Sequence, residues 1–120
     1  MYQYKIKKLN KIVDGDTFDC DIDLGFDVML SNQRIRLSGI DTWESRTRNL
    51  KEKEKGLAAK AYTKDVLESS NEITIKSFGK GKYGRILGEV YCDGACLNEQ
   101  LIDAGHAHKY DGGKKKKFNE

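Results

Sequence analysis

Residues 17–24 alternate strictly between polar and apolar side chains, and this period of two predicts a β-strand with one face on a core. The apolar face is formed by Phe18, Cys20, Ile22 and Leu24. We expect the aspartates between them to point at water, namely Asp19, Asp21 and Asp23. Residues 2–13 mix apolar and lysine positions and lead into an Asp14-Gly15 turn, so they predict a first strand.

Three later segments predict further strands. The third strand follows a break near Gly25 and another near Asn32. Its two faces are Ile35 and Leu37 on one side and Arg34 and Arg36 on the other. A fourth strand begins at residue 73. A fifth covers residues 85–91 and enters a hairpin at Asp93-Gly94, which is a strong signal for such a turn.

Two helices are predicted among these strands. Residues 57–69 carry an apolar stripe formed by Ala58, Ala59, Tyr62 and Val66. Residues 45–56 are polar and without a period, which predicts a mobile surface loop. A second helix is expected to begin at an Asn98 cap and to end at Gly105, because glycine favours the left-handed conformation found at helix ends. Residues 111–120 contain four consecutive lysines and are predicted to be disordered.

Five short strands with one helix inserted after the third favour an α+β, mainly β fold: a five-stranded, OB-fold-like Greek-key barrel with two to three helices. A chain of 120 residues is long enough for one core. We therefore expect one domain over residues 1–110 and a lysine-rich tail over residues 111–120. Such a barrel suits nucleic-acid binding, but a fold alone does not specify a reaction.

The formal charge of +3 does not indicate a broadly basic surface. Lys114–Lys117 contribute +4, so the remaining residues together carry −1. No run approaches the roughly eighteen apolar residues of a membrane span, and the N-terminus lacks the apolar region of a signal peptide. We expect no membrane partner and a monomer. The protein is then either intracellular, which includes phage-encoded proteins, or secreted with its leader removed.

The three cysteines cannot all pair within one chain. Cys20 is expected to be a small core residue because it alternates with apolar neighbours. Cys92 and Cys96 flank a tight turn, and His106 and His108 follow. The two pairs are closer in sequence than in zinc fingers, and the histidines are only two residues apart. Packing is therefore favoured over a zinc site.

Two charged clusters carry the candidate chemistry. Asp14–Thr17 places two carboxylates at a glycine turn, and Arg36–Glu44 brings together an arginine and two further carboxylates. Arg85 follows later in the chain. Two aspartates and a carbonyl make a sparse oxygen site with room for water and a phosphate around Ca²⁺, and arginines suit phosphate oxygens. Each residue alone has a simpler alternative, since Asp14 suits a turn and the arginines suit surface ion pairs.

These motifs resemble the staphylococcal nuclease-like (thermonuclease) family over residues 6–110. The family's Asp-Gly-Asp-Thr motif occurs at Asp14–Thr17, and its Arg-x-x-x-x-Asp-Thr-Pro-Glu segment corresponds to Arg36–Glu44. Its Lys-Tyr-Gly-Arg motif occurs at Lys82–Arg85. A strand-turn-helix segment follows over residues 91–99. The order and spacing of these motifs are more specific than any one of them.

The resemblance implies a calcium-dependent nuclease that hydrolyses phosphodiester bonds of DNA and RNA with low sequence specificity and leaves 3′-phosphate ends. The implied Ca²⁺ ligands are Asp16, Asp41 and the backbone oxygen of Thr42. The implied catalytic residues are Glu44, which orients or deprotonates the attacking water, and Arg36 and Arg85, which stabilise the transition state. The implied substrate-binding residues are Lys82, Tyr83 and Tyr110.

The chain departs from the family in two places. Trp43 replaces the usual proline, which either loosens the turn before Glu44 or offers a surface on which a base can stack. The chain also ends soon after Tyr110, without the final helix of the family's best-known member. The alternative functions are a non-catalytic nucleic-acid-binding OB-fold module and a protein-interaction domain. A complete set of the family's carboxylates and arginines favours the enzyme.

Overall fold

The computed structural model describes residues 2–45, 47–81 and 84–110. The strands in these ranges are β1 (Tyr2–Asp14), β2 (Thr17–Gly25), β3 (Val28–Leu37), β4 (Ile40–Thr42), β5 (Ile73–Lys80), β6 (Ile86–Cys92), β7 (Ala95–Cys96) and β8 (Ala107–Lys109). The helices are α1 (Leu50–Ser69) and α2 (Leu97–Asp103). The predicted tail, Lys82 and Tyr83 lie outside the described residues, and the predicted domain boundary stays a prediction.

Five strands close into a barrel. β1 pairs antiparallel with β2 and β5, β2 pairs with β3, and β5 pairs with β6. Parallel pairing of residues 35–37 in β3 with residues 86–88 in β6 joins the two ends of this sheet. Short strands β4 and β8 pair separately beside the barrel. The predicted OB-fold-like, mainly β architecture is thus confirmed, with two helices in the described ranges.

The core lies inside the barrel and beneath the two helices. Its fully buried side chains include Phe18, Cys20, Ile35, Leu37, Ile75, Val90, Leu97 and Leu101. The apolar face predicted for β2 is confirmed, with Leu24 at its end half-buried. Burial of these side chains supplies most of the free energy that closes a barrel of this size.

One aspartate of β2 contradicts the prediction that all three point at water. Asp19 is only 8% exposed, and its carboxylate accepts hydrogen bonds from Arg34 Nε at 2.8 Å and Nη2 at 3.1 Å. Asp19 and Arg34 are direct neighbours across the β2–β3 pair. The bidentate arginine covers the carboxylate and replaces its water.

Helix α1 begins seven residues before its predicted start, so the loop predicted over residues 45–56 is wrong from Leu50 onward. The side chain of Asn49 caps the helix by accepting a hydrogen bond from Glu52 N at 3.1 Å. The buried face of α1 is formed by Gly56, Ala59, Thr63 and Leu67. Ala58, which was predicted to lie on that face, is exposed.

Two further local predictions are corrected by the structure. The break predicted near Asn32 is an irregularity in the β2–β3 pairing and not the end of a strand: β3 runs through Asn32, which has a positive φ of 49° and donates its N–H to Asp21 Oδ1 at 2.8 Å. Asn98 does not cap α2, because the helix begins at Leu97 and the Asn98 side chain is buried. Gly105 adopts the predicted left-handed conformation, with φ of 80°. Neither helix described here combines the length and apolar character needed to cross a membrane.

Candidate active site

A polar hollow of about 670 Å³ opens where the β1–β2 turn, the end of β3, β4 and the start of β6 meet. Seven of the nine predicted site residues line it: Asp16, Arg36, Asp41, Thr42, Glu44, Arg85 and Tyr110. The other two, Lys82 and Tyr83, lie outside the described residues. The fold therefore brings together residues from four separate parts of the sequence.

The two carboxylates at the bottom of the hollow are held by backbone and hydroxyl donors. Asp16 lies in the turn between β1 and β2 and is 7% exposed. Its Oδ1 accepts a hydrogen bond from Thr17 Oγ1 at 2.9 Å, and its Oδ2 accepts one from Thr42 N at 3.1 Å. The second bond ties β4 to the turn. Because Asp41 directly precedes Thr42, that bond also fixes the second carboxylate beside the first.

Arg36 lies between these carboxylates. Its Nη2 is 3.5 Å from Asp16 Oδ2 and 3.5 Å from Asp41 Oδ1, and the Arg36 side chain is 12% exposed. Its Nη1 donates to the carbonyl oxygen of Leu37. The alternative interpretation of Arg36 as part of an exposed surface ion pair is therefore wrong, because its side chain and both carboxylates are largely buried. A guanidinium held this way keeps donors directed into the hollow, where an anionic oxygen can replace a carboxylate as acceptor.

The donor set at this point fits a hard cation that shares its coordination with solvent. Across residues 2–45, 47–81 and 84–110 there is no group of three or more His, Cys, Asp or Glu side chains arranged to hold a metal. The carboxylates of Asp16 and Asp41 and the backbone carbonyl of Thr42 are too few to fill the coordination sphere of Ca²⁺, which takes six to eight oxygens. Thr42 Oγ1 is a further oxygen that is buried without a hydrogen-bond partner in the described structure.

The remaining predicted residues surround the opening of the hollow. Glu44 follows β4 and is exposed, whereas Arg85 directly precedes β6 and is half-buried. The carbonyl oxygen of Arg85 accepts a hydrogen bond from Gly81 N at 2.7 Å, which joins the residue after β5 to the residue before β6. Tyr110 follows β8, and its N–H donates to Gly39 O at 2.9 Å. The rim of the hollow therefore carries one carboxylate and one guanidinium, from Glu44 and Arg85, above the buried carboxylates of Asp16 and Asp41.

Comparison with known sequences shows which family contains this chain. The family profile described as "Staphylococcal nuclease homologue" matches residues 34–120. The chain belongs to the staphylococcal nuclease family. A protein named "Probable staphylococcal-like nuclease" from Oryza sativa subsp. japonica is 36% identical over 86 residues, which cover 72% of this chain and 24% of that protein. A protein named "Uncharacterized endonuclease" from Escherichia coli is 33% identical over 107 residues, which cover 84% of this chain and 58% of that protein.

The chain thus spans between a quarter and three fifths of the length of these relatives. Within the nuclease family's motif, the main departure is Trp43. Its side chain is half-buried, lines the hollow, and has Lys55 Nζ 4.5 Å from its ring centroid. This cation–π contact joins the segment after β4 to α1.

Two features of this nuclease-family site were not predicted from the sequence. Asp14, interpreted as a turn former, also accepts hydrogen bonds at Oδ1 from the N–H and the hydroxyl of Ser45. Gly15 packs against Ala59, and its carbonyl oxygen accepts a hydrogen bond from Thr63 Oγ1 at 2.6 Å. The sequence signals for this contact were Gly15 in the turn and Thr63 within the helical segment. Neither residue type indicates which residue it contacts.

Proposed function

We propose that this chain is a Ca²⁺-dependent nuclease that hydrolyses phosphodiester bonds of DNA and RNA with little base selectivity and leaves 3′-phosphate ends. The observation that carries the proposal is the position of Arg36 between the carboxylates of Asp16 and Asp41, in a hollow that Glu44 and Arg85 also line. The names of the relatives support a nuclease, while the metal, the substrate and the ends formed are our inference.

Asp16, Asp41 and the carbonyl of Thr42 are the groups that would hold Ca²⁺. When bound, Ca²⁺ would supply positive charge that attracts and polarises a substrate phosphate. Arg36 and Arg85 donate hydrogen bonds to the non-bridging oxygens, on which negative charge grows as the nucleophile approaches. Such donors stabilise the transition state more than the ground state, which is the condition for raising turnover.

Glu44 is the candidate general base. It orients a water molecule, accepts its proton, and the resulting oxygen attacks phosphorus as the bond from phosphorus to the 5′ oxygen breaks. The 5′ oxygen takes up a proton from solvent, and the phosphate remains on the 3′ side. The exposed position of Glu44 gives it access to water, whereas the buried aspartates are held by their neighbours.

The proposal is tested with Arg36→Ala and Arg85→Ala in a cleavage time course on single-stranded and duplex DNA and on RNA. Each substitution should lower turnover by roughly 10³–10⁵-fold, as for other phosphoryl-transfer arginines, while the circular dichroism spectrum stays that of the parent. Arg34→Ala is the matched control, because Arg34 lies on the same strand but binds Asp19 instead of lining the hollow. Either site variant cutting DNA within a few-fold of the parent would refute the roles assigned here.

Repeating the assay with a chelator in place of Ca²⁺ distinguishes the enzyme from a non-catalytic binding module. The enzyme should release products with Ca²⁺ and none with the chelator, and Mg²⁺ in place of Ca²⁺ tests the metal preference. A binding module would retain the oligonucleotide in both conditions without degrading it. Fluorescence of Trp43, the single tryptophan of the sequence, reports binding because its ring lines the hollow.

A further inference from the structure

Gly56 lies in the interior of α1, where glycine is less favourable than alanine. It is buried against the segment that carries Glu44. A Cβ atom at position 56 would lie 2.1 Å from the carbonyl oxygen of Glu44, 2.3 Å from its carbonyl carbon and 2.6 Å from Ser45 N. All three are backbone atoms, so no side chain can rotate away. Glycine is therefore required for α1 to touch the Glu44–Ser45 peptide.

Other contacts hold the same segment on either side. Lys55 lies against the Trp43 ring on the side preceding Glu44, and Asp14 accepts hydrogen bonds from Ser45 on the side following it. The Glu44 side chain itself is exposed. The position from which this side chain extends is set by the Glu44–Ser45 backbone, and Gly56 packs directly against that backbone.

We propose that Gly56 is a positioning residue of the nuclease, which acts through Glu44 by fixing the Glu44–Ser45 peptide against α1. The inference rests on the proposed function, since it concerns the general base assigned there. Gly56 does not line the hollow, and the groups that contact the Asp16 carboxylate belong to Thr17, Arg36 and Thr42. Its replacement should therefore affect proton transfer and leave metal binding intact.

The first test is Gly56→Ala. An added methyl group must displace the Glu44 peptide, and a displacement of about 1 Å in catalytic geometry lowers turnover by roughly 10²-fold. We expect kcat to fall by that factor while KM and the calorimetric Kd for Ca²⁺ stay within about threefold of the parent. Ala61→Gly is the matched control, because Ala61 is exposed on α1 and changes helix propensity without touching the site. The control should cleave like the parent.

A double-mutant cycle with Glu44→Gln separates positioning from general damage. If Gly56 acts through Glu44, Gly56→Ala should not lower the residual activity of the Glu44→Gln protein any further. Multiplicative losses, an unchanged kcat for Gly56→Ala, a weakened Ca²⁺ affinity, or loss of cooperative unfolding would each overturn the proposal. An inert parent, or a Glu44→Gln protein as active as the parent, would instead overturn the proposed function.

Discussion

Asn98 is the buried polar side chain whose removal gives the most direct test of how this barrel is held together. It is 4% exposed. Its Oδ1 accepts a hydrogen bond from Val90 N at 3.2 Å, and its Nδ2 donates to Ser38 O at 2.8 Å and to Gly88 O at 3.3 Å. One amide thus joins α2 to β6 and to the turn that leads into β4.

Asn98→Ala removes all three hydrogen bonds, but their costs differ. Gly88 O keeps a partner, because Ser38 N also donates to it at 2.9 Å. Val90 N and Ser38 O lose the bonds that Asn98 provides. An unsatisfied buried donor costs about 1–3 kcal/mol and a lost neutral hydrogen bond about 1 kcal/mol, which gives a total of about 2–4 kcal/mol. That is a large part of the roughly 5–15 kcal/mol expected for the whole domain.

Urea unfolding followed by circular dichroism measures this loss. With a slope of about 1–3 kcal/mol per molar urea, the midpoint should fall by roughly 0.7–4 M. Near neutral pH, Asn98→Asp should lower the free energy of unfolding more than Asn98→Ala does, because a carboxylate would face the carbonyl oxygens of Ser38 and Gly88. In acid the protonated carboxyl regains a hydrogen-bond donor, so the two variants should become more similar in stability. Asn10→Ala is the control. Asn10 also donates two hydrogen bonds but is exposed, so the substitution should lower the free energy of unfolding by no more than about 0.5 kcal/mol. Equal losses for Asn10→Ala and Asn98→Ala would refute the reasoning.

Two further predictions concern buried ionisable groups. Arg34→Ala should lower the free energy of unfolding by about 1–3 kcal/mol, because it leaves the buried Asp19 carboxylate without its bidentate donor, and an unchanged urea midpoint would contradict this. Burial, with Asp21 and Asp19 nearby, raises the pKa of Cys20 to about 12. A thiol reagent at pH 8 should therefore label Cys20 only after unfolding, and equally fast labelling of the native protein would show the burial to be wrong. Because this pKa lies above the ordinary 9.0, ionisation opposes folding, and stability should decline as the pH rises from 9 to 12.

The sequence predicts the barrel well because its strands carry their own periodicity. The alternation along β2 identifies Phe18, Cys20 and Ile22 as core residues, and each is buried. The same pattern fails for Asp19, because a single strand does not reveal that Arg34 lies across from it. Periodicity indicates the face of a residue, whereas its cross-strand partner depends on register.

The helix boundaries were predicted less well from local sequence patterns. The first turns of α1 present charged residues to solvent and have no apolar period, which is why a loop was predicted there. The structure shows that Asn49 caps the helix, with Glu52 three positions later. Asn98 has the residue type of a cap but is used as a buried amide link. The order of the motifs predicted the candidate site residues, seven of which line one hollow. The contact of Gly56 with the Glu44 backbone arises only from tertiary packing and has no such motif.

The parallel pairing of β3 with β6 has a consequence for the nascent protein. Asp16, Arg36, Asp41 and Glu44 all precede α1, whereas Arg85 enters the hollow only when β6 is laid beside β3. Long-range pairings of this kind form late, because the intervening chain must first be ordered. A chain still emerging from the ribosome therefore lacks Arg85 in the hollow. Under the function proposed above, it should begin to cleave nucleic acid only after β6 has paired with β3.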